Sequence, residues 1–480
     1  MLNKLKNKNI IFCVIMFLPI LFFNKVLDND FYFLYKYGEY VINNGFPLVE
    51  PFSMHSNLKF TMQQWLCAVI YYSIYNIFGK IGIILLLILL NILIIYLIYK
   101  TICLINPYKE TSMLLTLPAS ILLSFFIYTR PFIFSYLLII LSLYFTIKYT
   151  KTNNFKYLLT LPIISILQIN LHSSMWWFLF IIILPFFAEI NIFNLSNVYV
   201  EKYNKIPLLI TTVIMFFCGF LNPYGIDNIL YVFKSSNKMA QQQIIEMATP
   251  TITNLSGIIL TLTFFILLII VINKKGTINI RYVFLLIGCI FLQIYALRNI
   301  PFLGLSISLF LADYFKDIDL KNIITNNNNI IRRLIIMLSA FLFAGIYFFI
   351  SDITTIKTNN AYKAIDYLID NNLVDNNSIV YTGYNDGSYA IFNNIKCYID
   401  ARMEIYTEKQ NKKENYIDEY FYLQNGTIDI NKFLNKYNFD FLIISKYDIM
   451  YNNTINNYSE IYTDEYCKIL KNNKQEVYNE

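Results

Sequence analysis

The chain has 480 residues, 57% of them hydrophobic and only 14% charged, with a mean hydropathy of +0.49. Soluble domains carry about 45–50% apolar and about 25% charged residues, so the composition excludes an ordinary soluble protein and predicts a polytopic α-helical membrane protein. The net charge of +7 does not argue for nucleic acid, because most Lys and Arg fall in loops between apolar runs, where they set orientation across a bilayer.

In chain order, the sequence MLNKLKNKN before IIFCVIMFLPILFF has the look of a signal peptide. No small-residue cleavage site follows it, so an uncleaved first span is expected. A hydrocarbon core of about 30 Å takes roughly 20 helical residues. Runs approaching that length lie at about 10–27, 81–99, 111–128, 131–148, 157–171, 174–189, 206–222, 256–273, 280–297, 300–315 and 332–351, which predicts about eleven transmembrane helices. The stretch 64–78 reads as an amphipathic or re-entrant helix leading into the second span. After residue 351 the chain turns polar and charged. Helices are expected there over 361–371, 414–423 and 431–437, a turn-helix around Asn385, Asp386 and Gly387, and strands over 378–382, 396–400 and 440–445. That alternation predicts a small α/β domain, giving a division into 1–351 and 352–480. The seven Cys show no C-x-x-C spacing, which argues against a zinc site. Cys397 and Cys467, the pair outside the spans, leave a disulfide open but unsupported.

Positive charge recurs in every second loop: Lys4, Lys6 and Lys8; Lys100 and Lys109; Lys148, Lys151 and Lys156; Lys202 and Lys205; Lys274 and Lys275; then Lys316, Lys321, Arg332 and Arg333. The positive-inside rule therefore predicts a cytoplasmic N-terminus and an outer C-terminal domain, with a first outer loop over 28–65. The opposite loops hold the unusual polar residues. These are Asp28, Asp30 and Glu50 in the first outer loop, Arg130 before Pro131, Asn170 and His172 after the fifth span, Asn222-Pro223-Tyr224-Gly225, Glu246, and Arg298 beside Asn299. Charge at membrane depth is costly and marks pathways or sites.

Sugar transfer to a hydroxyl or amide needs a base for the acceptor and a counter-charge for a leaving phosphate. A carboxylate meets the first need and bidentate arginines the second. Asp30 and Asp28 are thus the candidate catalytic acids. Glu50, Arg130, His172, Tyr224, Glu246 and Arg298 are the candidate substrate-binding residues. The two Asp could also hold a divalent cation with water. Each has a plainer reading as well: Asp28 and Asp30 as helix caps, Arg130 as a snorkelling anchor, Asn222-Pro223-Tyr224-Gly225 as a structural turn. Asp386, Asp400 and Arg402 read as a salt-bridged fold signature. Tyr32, Phe33 and Trp65 read as sugar-stacking groups or as an interfacial belt.

D-N-D-F-Y-F-L-Y-K-Y-G, P-L-V-E-P-F-S and Q-Q-W-L in the first loop resemble a family of bacterial membrane proteins related to GT-C glycosyltransferases. T-R-P-F-I-F-S, I-N-L-H-S-S, L-N-P-Y-G, I-I-E-M-A-T-P and L-R-N-I-P-F continue the likeness, and Y-N-D-G-S-Y-A-I-F and Y-I-D-A-R-M-E-I-Y extend it into the tail. It implies inverting transfer of a sugar from a polyprenyl-phosphate-linked donor to a glycan, lipid or protein acceptor. That transfer would take place on the outer face of a bacterial inner membrane, with Asp30 and Asp28 as the acidic pair. Leu34 stands where the family has His, Glu50 where it has Asp, and Gln63-Gln64 where it has His-Glu. Those departures keep a second reading open: a non-catalytic relative that serves envelope polysaccharide export or assembly, or a transporter.

Overall fold

The computed structural model describes residues 26–189, 198–235, 247, 249–251, 255–273, 277–317, 360–375 and 377–473. The expected span at 332–351, that at 10–27 apart from its last two residues, and the candidate Glu246 lie outside them. Each of the other nine apolar runs contains a helix. Among the described residues, Trp65–Cys103 and Phe132–Thr152 are long and apolar enough to cross a membrane. Phe155–Leu171, Ser173–Phe187, Ile206–Cys218 and Ile280–Tyr295 are apolar but shorter, so two of the described helices reach spanning length.

Contacts divide the chain into two compact units, the first formed by 1–25, 84–222 and 241–352. Its helices start and stop where local chemistry dictates. Asn279 caps Ile280–Tyr295 by accepting from the Arg281 amide at 3.2 Å, and Pro207 opens Ile206–Cys218 where no amide is missed. Asn153, left-handed at φ 52°, ends Phe132–Thr152. Small residues allow close approach between helices. Thr116, Ser120 and Ser124 line the buried side of Lys109–Ser124 and return their hydroxyls to the carbonyls four residues back. A Cβ on Gly304 of Ile300–Tyr314 would come within 2.9 Å of Leu122. Trp176 is fully buried and donates to Ser165 Oγ at 2.7 Å.

The charged loops of this unit meet one another. Lys151 pairs with Glu201 at 2.9 Å, and Tyr199 donates to the buried Asp313 at 2.8 Å. A two-residue parallel pair joins β1 (Val198–Tyr199) to β2 (Ile278–Asn279).

The second unit comprises 26–83, 223–240 and 353–480, so the compact body holding the tail is larger than the expected domain at 352–480. Its centre is a mixed sheet of β3 (Ile379–Tyr381), β4 (Lys396–Cys397), β5 (Phe441–Ser445), β6 (Tyr458–Thr463) and β7 (Cys467–Asn472), in the order β4-β3-β5-β7-β6. β3 runs parallel to β4 and β5, and β7 pairs antiparallel with β5 and β6. Helix Tyr362–Asp370 turns Ala364, Ile365 and Leu368 onto Val380, Ile443 and Ile469. The first loop joins the β4 edge: Ser53 bridges Cys397 in parallel, and the Met54 amide donates to the Cys397 carbonyl.

The helices and three strands expected in the tail are present, within a few residues at each end; the β6–β7 hairpin was not foreseen. Cys397 and Cys467 are buried free thiols. β3 and β5 stand between their strands, and neighbouring strands lie about 4.8 Å apart. Three such intervals put Cys397 and Cys467 roughly 14 Å apart, about twice the disulfide limit of about 7 Å between Cα atoms.

Candidate functional site

In the second unit, the helix Asn29–Asn44 starts at the acidic pair. Asp28 holds the N-cap position with extended backbone, and its carbonyl accepts from the Phe31 amide at 2.9 Å. Its carboxylate makes no capping bond, so side-chain capping does not account for it. Asp30 lies in the first turn, where the helix dipole favours a carboxylate. Both acids are half-buried. Between them, Asn29 accepts from Tyr362 Oη at 3.0 Å. Tyr362 packs on Tyr32 and Tyr389, with ring centres 5.3 and 4.3 Å away. The tail therefore anchors the acidic turn through a tyrosine cluster.

The aromatic ladder is core. Tyr32 and Phe33 are buried and Leu34 is fully so; sugar platform and interfacial belt both fail for the two rings. Trp65 is half-buried against Phe46 at 5.1 Å.

Glu50 is 5% exposed, and both of its carboxylate oxygens are occupied. Oε1 accepts from the Phe52 amide at 2.8 Å; Oε2 accepts from Tyr37 and, at 2.9 Å, from Arg402 Nη1. Arg402 also forms a fork on Asp400, with Nε to Oδ1 at 2.7 Å and Nη2 to Oδ2 at 2.6 Å. Tyr406 donates to the same Asp400 carboxylate. Burial opposes the Arg402 charge, but Asp400 and Glu50 more than offset it and hold the guanidinium well above its ordinary range. Burial pushes Glu50 up, and Arg402 pulls it back. Asp400 and Arg402 are thus a salt-bridged fold signature, and Glu50 is its third member.

Tyr224 donates to the Pro47 carbonyl at 3.1 Å and packs edge-on to Phe46. Asp227 accepts from Lys59 at 2.9 Å and from Lys234. The segment 223–235 is thereby stitched to the first loop. His55 is buried, stacked on Tyr416 at 3.8 Å, and donates from Nε2 to the Tyr398 carbonyl at 3.0 Å. Burial lowers it to about 4.

In the first unit, His172, Ser135 and Gln168 form a buried chain. Gln168 Nε2 donates to Ser135 Oγ at 2.9 Å, and Ser135 Oγ lies 2.9 Å from His172 Nδ1. With the Ser135 hydroxyl donating to Nδ1, the imidazole carries its proton on Nε2. Phe132 packs edge-on to His172 at 4.6 Å, and the Arg298 guanidinium lies 5.9 Å from the Phe132 ring centre. Arg130, half-buried, faces Tyr128 at 5.4 Å. His172 and Arg298 are therefore neighbours around Phe132. Among the described residues, no group of three or more His, Cys, Asp or Glu is arranged to hold a metal ion.

No protein-family model matches the chain, and no curated protein matches its sequence. Among solved structures, the oligosaccharyltransferase of Archaeoglobus fulgidus aligns over 91% of this chain and 68% of its own, with TM-score 0.61 and 10% identity. That crystal structure holds an acceptor peptide with the NVT sequon, tethered through a disulfide. This chain shares the fold of that archaeal protein. The apo form of the same archaeal protein aligns over 91% and 69% at TM-score 0.48 and 11% identity.

Tyr37, Tyr406 and His55 are structural partners that the sequence did not single out. Tyrosine is abundant in this chain, with 40 copies, so no one Tyr stands out before its partner is known.

Proposed function

We propose that the protein is a membrane glycosyltransferase. It moves a sugar from a polyprenyl-phosphate-linked donor to a cell-envelope acceptor (glycan, lipid or protein) on the outer face of a bacterial inner membrane. The observation that carries this reading is the oligosaccharyltransferase fold across 91% of the chain. In the proposed step the acceptor oxygen or nitrogen attacks the anomeric carbon from the face opposite the phosphate. The carbon–oxygen bond to phosphate breaks, and its electron pair leaves with the phosphate. Asp30 takes the acceptor proton as general base, and Asp28 orients the acceptor beside it. Arg130 and Arg298 balance the leaving phosphate, with His172 Nε2–H as a further donor and Tyr224 and Glu246 as substrate contacts. With both oxygens occupied inside the protein, Glu50 serves by holding the first loop. Two half-buried carboxylates are hard oxygen donors that suit a divalent cation; Asp28 and Asp30 would be its protein ligands, and such an ion would contribute charge stabilisation at the phosphate.

The test is transfer by purified protein from a mixed pool of polyprenyl-linked sugars. Asp30→Asn keeps the shape but cannot accept the proton, so transfer should fall by roughly 100-fold or more. Asp28→Asn should cost less, and Arg130→Lys should weaken donor binding because an ammonium lacks the bidentate fork. A folded Asp30→Asn protein working at the wild-type rate removes Asp30 from the mechanism. A wild-type protein inactive on every donor points to a non-catalytic export, assembly or transport role.

A further inference from the structure

We propose that a cleft on the C-terminal part of the second unit binds a neutral saccharide. The cleft has a volume of about 210 Å³ and lies where helix Ile430–Tyr437, the start of β6 and the end of β7 converge. Asn431, Asn435 and Asn438 line it from the helical side. Their spacing of four and then three residues puts them on one face, while Phe433 and Leu434 are buried. Asn456, Asn457 and Tyr458 line it from the strand side. Asparagine is common throughout this chain, but here it converges from three elements on a braced concavity. The Phe439 carbonyl accepts from Tyr458 Oη and from Asn472 Nδ2, both at 2.9 Å. Asn438 and Asn457 hold left-handed backbone at φ 50° and 67°, which their short polar side chains tolerate.

The lining specifies the ligand. Each carboxamide offers one acceptor oxygen and two donor hydrogens, which matches hydroxyl groups that both donate and accept. Asn431, Asn435 and Asn456 are exposed, and their side chains have no hydrogen-bond partner among the described residues. No Lys, Arg, Asp or Glu lines the cleft, so nothing there balances a phosphate or a carboxylate. Leu434 is the lone aliphatic group, which disfavours a lipid chain. Typical small-molecule clefts measure about 300–1,000 Å³, so this smaller one suits one or two sugar rings. The proposal stands on the cleft itself and does not depend on the transfer reaction.

The test uses full-length protein in detergent and saturation-transfer NMR. The probes are methyl glycosides of glucose, galactose, mannose and N-acetylglucosamine, with glucose 1-phosphate as the charged comparison. At least one neutral glycoside should bind with a Kd on the order of 1 mM. Asn431→Ala combined with Asn435→Ala should weaken that binding about tenfold, for the loss of two polar contacts. Both positions are exposed, so the fold should tolerate the change, and a circular-dichroism melt checks it. Asp30→Asn should leave glycoside binding unchanged. Three results overturn the proposal: no neutral glycoside binding up to about 10 mM, a tenfold excess over that Kd; binding that the double variant leaves intact; or tighter binding of glucose 1-phosphate at the same residues.

Discussion

Arg402 stands between two buried carboxylates, Asp400 at 2.6 Å and Glu50 at 2.9 Å. Arg402→Met would leave those carboxylates facing each other without a counter-charge. Removing one member of a buried ion pair costs about 3–5 kcal/mol, so the variant should melt far below the wild type. Adding Glu50→Gln should recover part of the loss. Asp386 offers a pH signature in the same unit. Burial raises its carboxyl to about 6, against the bonds it accepts from the Ala361 amide at 3.1 Å and from Tyr466 Oη at 3.3 Å. An ordinary Asp titrates near ~3.9, so the folded state holds this proton more tightly than the unfolded chain does. The Asp386 contribution to stability therefore falls as pH rises from about 4 to about 6, and is flat above. His55, lowered to about 4, changes stability in the opposite sense over that window, so the useful quantity is a difference between proteins. Asp386→Asn should be more stable than wild type by up to about 3 kcal/mol at pH 7. The gap should close as pH falls through 6 toward 4, and chemical-denaturation curves at several pH values would read it.

At the scale of elements, Gly79 interrupts the helix Trp65–Cys103 with φ 61° and ψ −156°. L-residues rarely adopt that conformation. It separates the segment expected over 64–78 from the apolar run that follows, as the change of pattern in the sequence suggested. A Cβ at Gly79 would meet nothing within 4 Å, so the cost of Gly79→Ala is conformational alone. About 1–3 kcal/mol is expected, as a lowered melting temperature. An unchanged melt would mean that the helix runs through 79 without a break. The β4 edge makes a second point about elements. A two-residue edge strand exposes unpaired backbone groups, and here the loop at Ser53 and Met54 takes up that edge.

Across the whole molecule, the compact units do not follow chain order. Residues 26–83, 223–240 and 353–480 form one body, held together by Glu50–Arg402, by Tyr224 on Pro47, and by Asp227 between Lys59 and Lys234. In the other body, Lys151, Glu201 and Arg281 meet at one set of loops, while His172, Phe132 and Arg298 meet at another. In the orientation expected from the alternation of Lys-rich loops, the first set would face the cytoplasm. Reporter fusions after Lys109 and after Ser351 should therefore report opposite compartments, cytoplasmic for the first and external for the second. Agreement of both on the cytoplasm would separate Asp30 from the face on which the proposed donor is presented.

Hydropathy alone marked the nine helix-bearing runs from 81 to 315, because burying apolar residues in helices is a local, additive preference that one sequence displays. The tail helices were legible for the same reason: Ala364, Ile365 and Leu368 already mark one face of a helix. The β6–β7 hairpin was missed because Tyr458–Thr463 is a half-exposed edge strand with no clean alternation. Asp400 and Arg402 could be paired from the sequence, being two residues apart. Their partner Glu50 lies 352 residues from Arg402, and one sequence carries no record of a contact at that distance. The same holds for Tyr362 on Asn29 and for the convergence of asparagines at the saccharide cleft. Those pairings were decided by tertiary structure, since a buried charge or amide is satisfied only by what the fold brings to it.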